Sequence, residues 1–239
     1  MTKISELKNK YDGRAFLVGN GPTLGEHNLD LLIPEYAFAT NRIAQIFDGF
    51  MWRPSFYVLT SLQFQRAGWK RDLARGIKSA YENSFLHEIY RGMDGMVFNG
   101  NEIWLPECSH GSYQGPTAPD SWWSDDVSKR VCKYGTSLLS MFQIAIYLGF
   151  KELILIGIGP PFKGYKAGEN DPNHFSANYD GKSFVLSENV AKLVNGKVTG
   201  AHELAKRACE RLGVSVFDAT IGPGVGDWPK RDLKALINV

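Results

Sequence analysis

The sequence predicts an α/β protein, Rossmann-like, with a mostly parallel sheet and helices on both faces. Three observations carry that prediction. Short runs that are apolar throughout recur along the chain, the pattern of strands buried on both faces. Two of them, at 153–156 and 214–217, follow a helical period closed by a glycine, which is half of a βαβ crossover. The first run opens straight into a glycine turn, at the strand end where such sheets bind ligands. With 239 residues, 44% hydrophobic and 22% charged, the chain reads as one domain over 1–239 that can bury its core without disulfide or metal staples.

Taken in order, strands are expected at 15–18, 36–40 and 56–59. A basic helical pattern at 64–76 covers the sheet, and two further short strands are expected at 96–98 and 103–105. Residues 106–134 are rich in Gly, Pro, Ser and Asp around Trp122 and Trp123. A loop of that length inside a domain is uncommon and usually functional, so it reads as a lid or acceptor-side loop. A helix follows at 136–148, with Leu139, Phe142 and Ile146 on one face and Gly149 as its stop. The strand at 153–156 is closed by Gly157. A last helix at 201–212 ends at Gly213, before the strand at 214–217.

Several function classes drop out on composition. A net charge of +2 gives no general field for nucleic acid or anionic lipid. Three cysteines (Cys108, Cys132, Cys209) match no zinc or disulfide framework, so a reducing, cytoplasmic setting is expected. The start, MTKISELKNKYDGR, has no apolar signal core, and no run of about 18 apolar residues exists, so neither a signal peptide nor a membrane span is expected. There is no HExxH, no cysteine pair and no GxSxG elbow. The acidic pair Asp125-Asp126 reads as a solvated loop rather than an ion site. No metal and no cofactor are expected, and a homo-oligomer is compatible with the chain.

Four segments carry candidate chemistry. The loop Gly19-Asn20-Gly21-Pro22-Thr23 follows the first strand. Its glycines lack the Cβ atoms that would keep a ligand off the backbone. Its amides can then face an anion, helped by a following helix N-terminus, with Thr23 as donor or cap. It is neither a Walker A loop nor GxGxxG, and on spacing alone a plain turn is an equal alternative. Thr40-Asn41-Arg42 ends the second strand: Asn41 can meet a ribose or base edge or cap a turn, and Arg42 can pair with phosphate or make a salt bridge. Gly135-Thr136-Ser137 is a helix start, fit either for an anion or for simple capping. Asp171-Pro172-Asn173-His174-Phe175, with Tyr179 close behind, sets one histidine beside a carboxylate, the pairing of a general base and its orienting group.

GNGPTL, Asn41, YGTSLLSMFQIAIYLGFKELILIGIG, DPNHF and the closing FDATIGPGVGDWPKRDLKALI together resemble bacterial sialyltransferases of the lipo-oligosaccharide type. They are more similar still to the motility-associated-factor glycosyltransferases and the 6-hydroxymethylpterin diphosphokinase-like proteins. The resemblance spans residues 14–237 with short gaps. It implies an inverting, metal-independent transfer of a sugar, a sialic or other nonulosonic acid, from a CMP-activated donor to a glycan or other hydroxyl acceptor, as in polysaccharide biosynthesis. Carried over residue by residue, Gly19 to Thr23, Asn41, Arg42, Ser61 and the edge at Gly157-Ile158 hold the nucleotide. Gly135, Thr136 and Ser137 lie near the donor sugar. His174 is the base, served by Asp171, and Tyr165 or Tyr179 donates to the leaving phosphate. Where the relatives carry an acidic residue after the 153–156 strand, this chain has Gly159 and then Pro160-Pro161. Two other readings stand beside this one. An ATP- and magnesium-dependent diphosphokinase would need carboxylates converging on the glycine loop. A non-catalytic nucleotide-binding protein would need none.

Overall fold

A computed structural model describes residues 2–60, 68–94, 96, 98–106 and 118–237. Among the described residues seven strands form one sheet: β1 (Arg14–Val18), β2 (Ala37–Thr40), β3 (Phe56–Leu59), β4 (Asn83–His87), β5 (Glu102–Leu105), β6 (Glu152–Ile156) and β7 (Ser215–Asp218). Their order is β5-β4-β3-β2-β1-β6-β7, and every pairing is parallel. The helices are α1 (Trp69–Ser79), α2 (Leu138–Leu148), α3 (Glu188–Leu212) and α4 (Leu233–Ile237), with short 3-10 turns between.

The apolar runs become two-faced strands because alternate side chains leave a strand on opposite sides. In β1, Ala15 and Leu17 enter one core cluster while Phe16 and Val18 enter another. The first cluster joins the sheet to α2 and α3, and the second joins it to α1, α4 and the 3-10 turns. Helix α2 lies almost wholly inside the protein, ten of its eleven residues being buried. One polar side chain there secures a neighbouring segment. Gln143 Oε1 accepts the backbone N–H of Ser124 and of Cys132, both at 3.1 Å, and Nε2 donates to the carbonyls of Cys132 (2.6 Å) and Leu139 (2.8 Å). That exhausts the four-bond capacity of the amide.

This clasp bears on the long 106–134 stretch. Residues 118–134 pack against the core through Trp123, Val127 and Val131. They are tied to α3 by Arg207–Asp120 and Arg211–Asp125 ion pairs at 2.9 and 2.8 Å. The remainder of the stretch, 107–117, lies outside the described residues, as do Cys108 and Ser61.

Two elements differ from the sequence expectation. The run at 96–98 makes no strand among its described residues, and the place next to β3 is taken by β4. In β4 only Ser84, Phe85 and Leu86 are buried, too short a core for periodicity to register. Helix α3 begins at Glu188, not at 201. Asn195, Gly196 and Gly200 are poor helix formers, yet tertiary contacts around Asn195 and Val198 hold this half in place.

Candidate functional site

The order of strands along the chain reverses between β1 and β6, and a parallel sheet opens a crevice at such a point. The loops leaving these two strands meet backbone to backbone. Gly19 N donates to Ile156 O at 2.8 Å and Gly21 N to Gly157 O at 2.7 Å. A Cβ on Gly19 would sit 2.5 Å from Gly157 O, and one on Gly21 would sit 2.5 Å from Gly159 N. The glycines therefore serve the junction of two loops, and their amides are committed to it rather than freed for an anion. Nor does a helix follow: Leu24–Glu26 is a single 3-10 turn, which Thr23 does not cap through its side chain. The Thr23 hydroxyl instead donates to Ile221 O at 3.0 Å. Gly19, Asn20 and Gly21 still line the crevice, as do Gly157 and Ile158; Pro22 and Thr23 do not. Asn20 Nδ2 donates to Thr40 O at 3.2 Å, while its Oδ1 is buried with no partner among the described residues. Such an orphan acceptor is the kind of group a ligand hydroxyl can satisfy.

The contact between the loops also explains residue 159. A Cβ there would lie 2.9 Å from Pro22 Cδ and 3.3 Å from Gly21 Cα. No acidic side chain fits unless the loops separate.

At the end of β2, Asn41 adopts a left-handed conformation with φ of 53°. Asn tolerates that region better than most residues. Its carbonyl accepts the Tyr57 hydroxyl at 2.5 Å, and the residue lines the crevice. Arg42 does not line it. The Arg42 guanidinium is buried, bonded to Asp72 (Nε–Oδ2 2.7 Å) and to the Tyr179 carbonyl. The salt-bridge alternative holds, though in the interior rather than at the surface, and the phosphate role is not one this geometry offers.

Gly135, Thr136 and Ser137 line the crevice at the start of α2. Thr136 Oγ1 accepts Leu138 N at 3.2 Å and so satisfies the first amide of α2, while the N-cap residue Ser137 makes no side-chain cap bond. A side chain at 135 would run into the Lys197 carbonyl of α3. Just upstream, Lys133 lines the same wall, and its ammonium donates to Thr60 O at 3.1 Å. With the partial positive charge at the α2 N-terminus, it makes this wall electropositive.

The 170–180 loop supplies the reactive group. His174 Nδ1 lies 2.8 Å from Asp171 Oδ2. The other Asp171 oxygen accepts Asn173 N at 2.8 Å. Burial raises the Asp171 carboxyl pKa. The bonds from His174, the Asn173 amide and the Tyr165 hydroxyl together outweigh burial and hold it below the ordinary value of 3.8. An ionised Asp171 fixes the proton of neutral His174 on Nδ1, which leaves the Nε2 lone pair as the basic atom. The imidazole stacks on Tyr179 with centroids 3.9 Å apart and planes at 8°, and meets Phe162 edge-on at 5.8 Å. Tyr179 is buried, and its hydroxyl accepts Arg42 N at 3.2 Å. It serves as a platform for the base, and the Tyr165 hydroxyl helps to keep the Asp171 carboxyl ionised; Tyr165 does not line the cavity, whereas Tyr179 does. The loop is anchored to the first strand loop by Phe175 N donating to Asn20 O at 3.1 Å.

These segments enclose a cavity of ≈ 440 Å³, a size suited to a small-molecule site. Among the lining residues that sequence reasoning missed are Lys133, Trp69, Phe162, Asp180 and His202. Asp180 follows Tyr179 directly, and Lys133 stands two residues before the Gly-Thr-Ser turn, so both had a positional signal. The aromatic and imidazole walls come from α1, α3 and a loop, and had none. Asp171, His174 and Asp180 also each bring one ligand atom to within 4.8 Å of the others, a spacing a metal ion could use. Asp125 and Asp126 do not line the cavity: Asp125 pairs with Arg211, and Asp126 with Lys129 at 3.2 Å.

No protein-family model matches the chain, and no curated protein sequence does. Among solved structures, the chain is similar to a MAf glycosyltransferase from Magnetospirillum magneticum AMB-1. Identity is 16% and the TM-score 0.50, over 96% of this chain and 37% of that one; the chain thus spans little more than a third of that neighbour. It is also similar to the sialyltransferase CstII from Campylobacter jejuni in complex with cytidine-5'-monophosphate. There the identity is 15% and the TM-score 0.43, over 94% of this chain and 83% of that one. A variant CST-II sialyltransferase with CMP gives 12% identity and a TM-score of 0.46, over 94% and 84%. At such identities the likeness to the first of these speaks for the fold, an α/β Rossmann-like sheet.

Proposed function

We propose that this chain is a glycosyltransferase that moves a sugar from a CMP-activated donor to a hydroxyl acceptor by one inverting displacement. The observation that carries the reading is the Asp171–His174 pair, bonded at 2.8 Å, on a cavity shared with Asn20, Asn41 and the Gly135-Thr136-Ser137 turn. The resemblance of the sequence motifs supports it, and a MAf glycosyltransferase shares the fold.

In this reading the nucleotide lies along the ends of β1, β2 and β6, where the orphan Oδ1 of Asn20 can accept a hydroxyl proton. The donor sugar lies toward Ser137 and Lys133. His174 Nε2 takes the proton of the acceptor hydroxyl as its oxygen bonds to the anomeric carbon. The bond from that carbon to the phosphate oxygen breaks, and CMP leaves with the electron pair. Lys133 and the N-terminus of α2 stabilise the charge that develops. Asp171 steadies the imidazolium that forms.

The test is the turnover of CMP-N-acetylneuraminic acid, by hydrolysis or transfer, in the wild type and in His174→Ala and Asp171→Asn. General-base catalysis contributes about 10²–10⁴-fold. A loss of that order in kcat with little change in KM is expected for both. Full activity in His174→Ala overturns the assignment of the base.

A second reading is favoured by one observation, the Asp171, His174 and Asp180 trio. Two carboxylates and a histidine beside the glycine loops suit an ATP- and magnesium-dependent diphosphoryl transfer. It ranks second because magnesium prefers an all-oxygen shell, and Asp171 already spends one oxygen on His174 Nδ1 and the other on Asn173 N.

A further inference from the structure

The cavity lining divides by chemistry into two unlike halves. One is backbone, amide side chains, hydroxyls and Lys133, with Leu138 and Met141 beside them. The second is Phe162, which meets His174 edge-on, with Phe184, Leu186, Val194, Val198 and Val225. We infer that the acceptor presents its nucleophile on an apolar stem, aliphatic or aryl, which lies in this second half. As a statement about the acceptor it rests on the transferase reading; as a statement about the lobe it stands alone.

Three features point there. Several of the polar atoms on this side that could meet sugar hydroxyls are already engaged. Asn195 spends its Oδ1 on Phe162 N (2.6 Å) and its Nδ2 on Phe162 O (2.9 Å), and His202 Nδ1 accepts Trp228 Nε1 at 2.8 Å. A hydroxylated ring pushed among these side chains would lose its bonds to water and gain few in return. Secondly, the lobe continues to the surface. Val190, Val194 and Val198 follow one another at four-residue spacing on α3, hence along one face. Val190 is 47% exposed and Val198 only 7%. An apolar line thus runs from solvent into the cavity, and Val185, next in sequence to the lining residue Leu186, is a further exposed apolar side chain at 54%. Thirdly, the wall is held in place. The two Asn195 bonds lock Phe162 to α3, and the Tyr165–Leu186 backbone pair, 2.8 and 3.0 Å, holds the Leu186 segment.

The test uses methyl, butyl, hexyl and octyl β-D-glucopyranosides below their micelle concentrations. Each is titrated by calorimetry into the full chain, with and without CMP. The series keeps one polar head and lengthens only the stem. Burial of each methylene should tighten binding about fourfold until the stem outgrows the lobe, so hexyl should bind more than tenfold tighter than methyl. Val194→Asp should bring hexyl back to the methyl value while leaving the CMP-induced thermal shift unchanged. Val225→Ser, a milder change, should weaken hexyl and spare methyl. Equal affinities across the series, or a gradient indifferent to both substitutions, overturn the inference even if CMP stabilises the protein. A steep gradient that the substitutions abolish, without any nucleotide binding, upholds the apolar lobe and sinks the CMP reading instead.

Discussion

Replacing Gly21 by alanine separates the two explanations of the first loop. If the glycine were there to let a ligand approach, Gly21→Ala would fold normally and bind its nucleotide poorly. The geometry says otherwise. The new methyl would lie 2.5 Å from Gly159 N and 2.7 Å from Gly157 O, backbone atoms that cannot rotate away. Overpacking of this kind costs about 1–3 kcal/mol. Parting the loops also strains the Gly21 N–Gly157 O bond, which is worth about 1 kcal/mol. A loss of roughly 2–4 kcal/mol follows. For a chain of this length each kcal/mol moves Tm by about 2–4 °C, so the ligand-free variant should melt roughly 4–16 °C early. Gly25→Ala is the control: nothing lies within 4 Å of its Cβ, and its melting point should stay within a degree or two of wild type or rise slightly. Differential scanning calorimetry of both proteins without ligand decides the matter. Indistinguishable melting points would refute the account of the loop junction.

Three further outcomes follow from the packing. Arg42→Met leaves the Asp72 carboxylate buried without its guanidinium partner, and should lower stability by about 3–5 kcal/mol in urea titration; a variant that is stable but binds nucleotide weakly would restore the phosphate role. Gln143→Met strands the amides of Ser124 and Cys132, while the Cys132 carbonyl keeps the Ser140 hydroxyl. At about 1–3 kcal/mol for each buried group left unpaired, it should cost at least about 2 kcal/mol and open the 118–134 segment to hydrogen exchange; unchanged protection there would count against the clasp. His202 is buried, which lowers its pKa from 6.5 to about 4. The folded protein therefore holds this proton less tightly than the unfolded chain. The resulting stability is complete above pH 6.5 and is lost as pH falls toward 4, at up to about 1.4 kcal/mol per pH unit. His202→Gln should flatten that slope in a Tm-versus-pH series, and an unaltered slope would exclude His202 as its source.

Much of the sheet was legible because fully buried parallel strands leave continuous apolar runs, as β1, β3 and β6 do. What escaped was set by contacts between distant segments. β4 is an inner strand with a three-residue core, recognisable only once β3 and β5 flank it. The first half of α3 persists because Asn195 clasps Phe162 and the 197–198 backbone seats against Gly135, neither of which is local information. The site divided in the same way. Asp171 and His174 are three residues apart, and their pairing could be read from the chain. The glycine loop was expected on ligand grounds, but the tight packing of its glycines is against another loop 136 residues or more away, which nothing local announces. Arg42 looked like a surface cation because nothing local announces Asp72.

The measurement that bears most directly on the central claim is a thermal-shift panel of CMP, CDP, UDP, GDP and ATP, each with magnesium and with a chelator. A nucleotide that binds only the folded chain adds about 2.7 kcal/mol at a hundredfold excess over its Kd, roughly 5–10 °C here. The account predicts that CMP gives this rise equally with and without metal, and that a phenylalanine at Asn20, where Oδ1 now lies unpartnered, removes it. Stabilisation by ATP alone and only with magnesium, or none by any nucleotide, would contradict it.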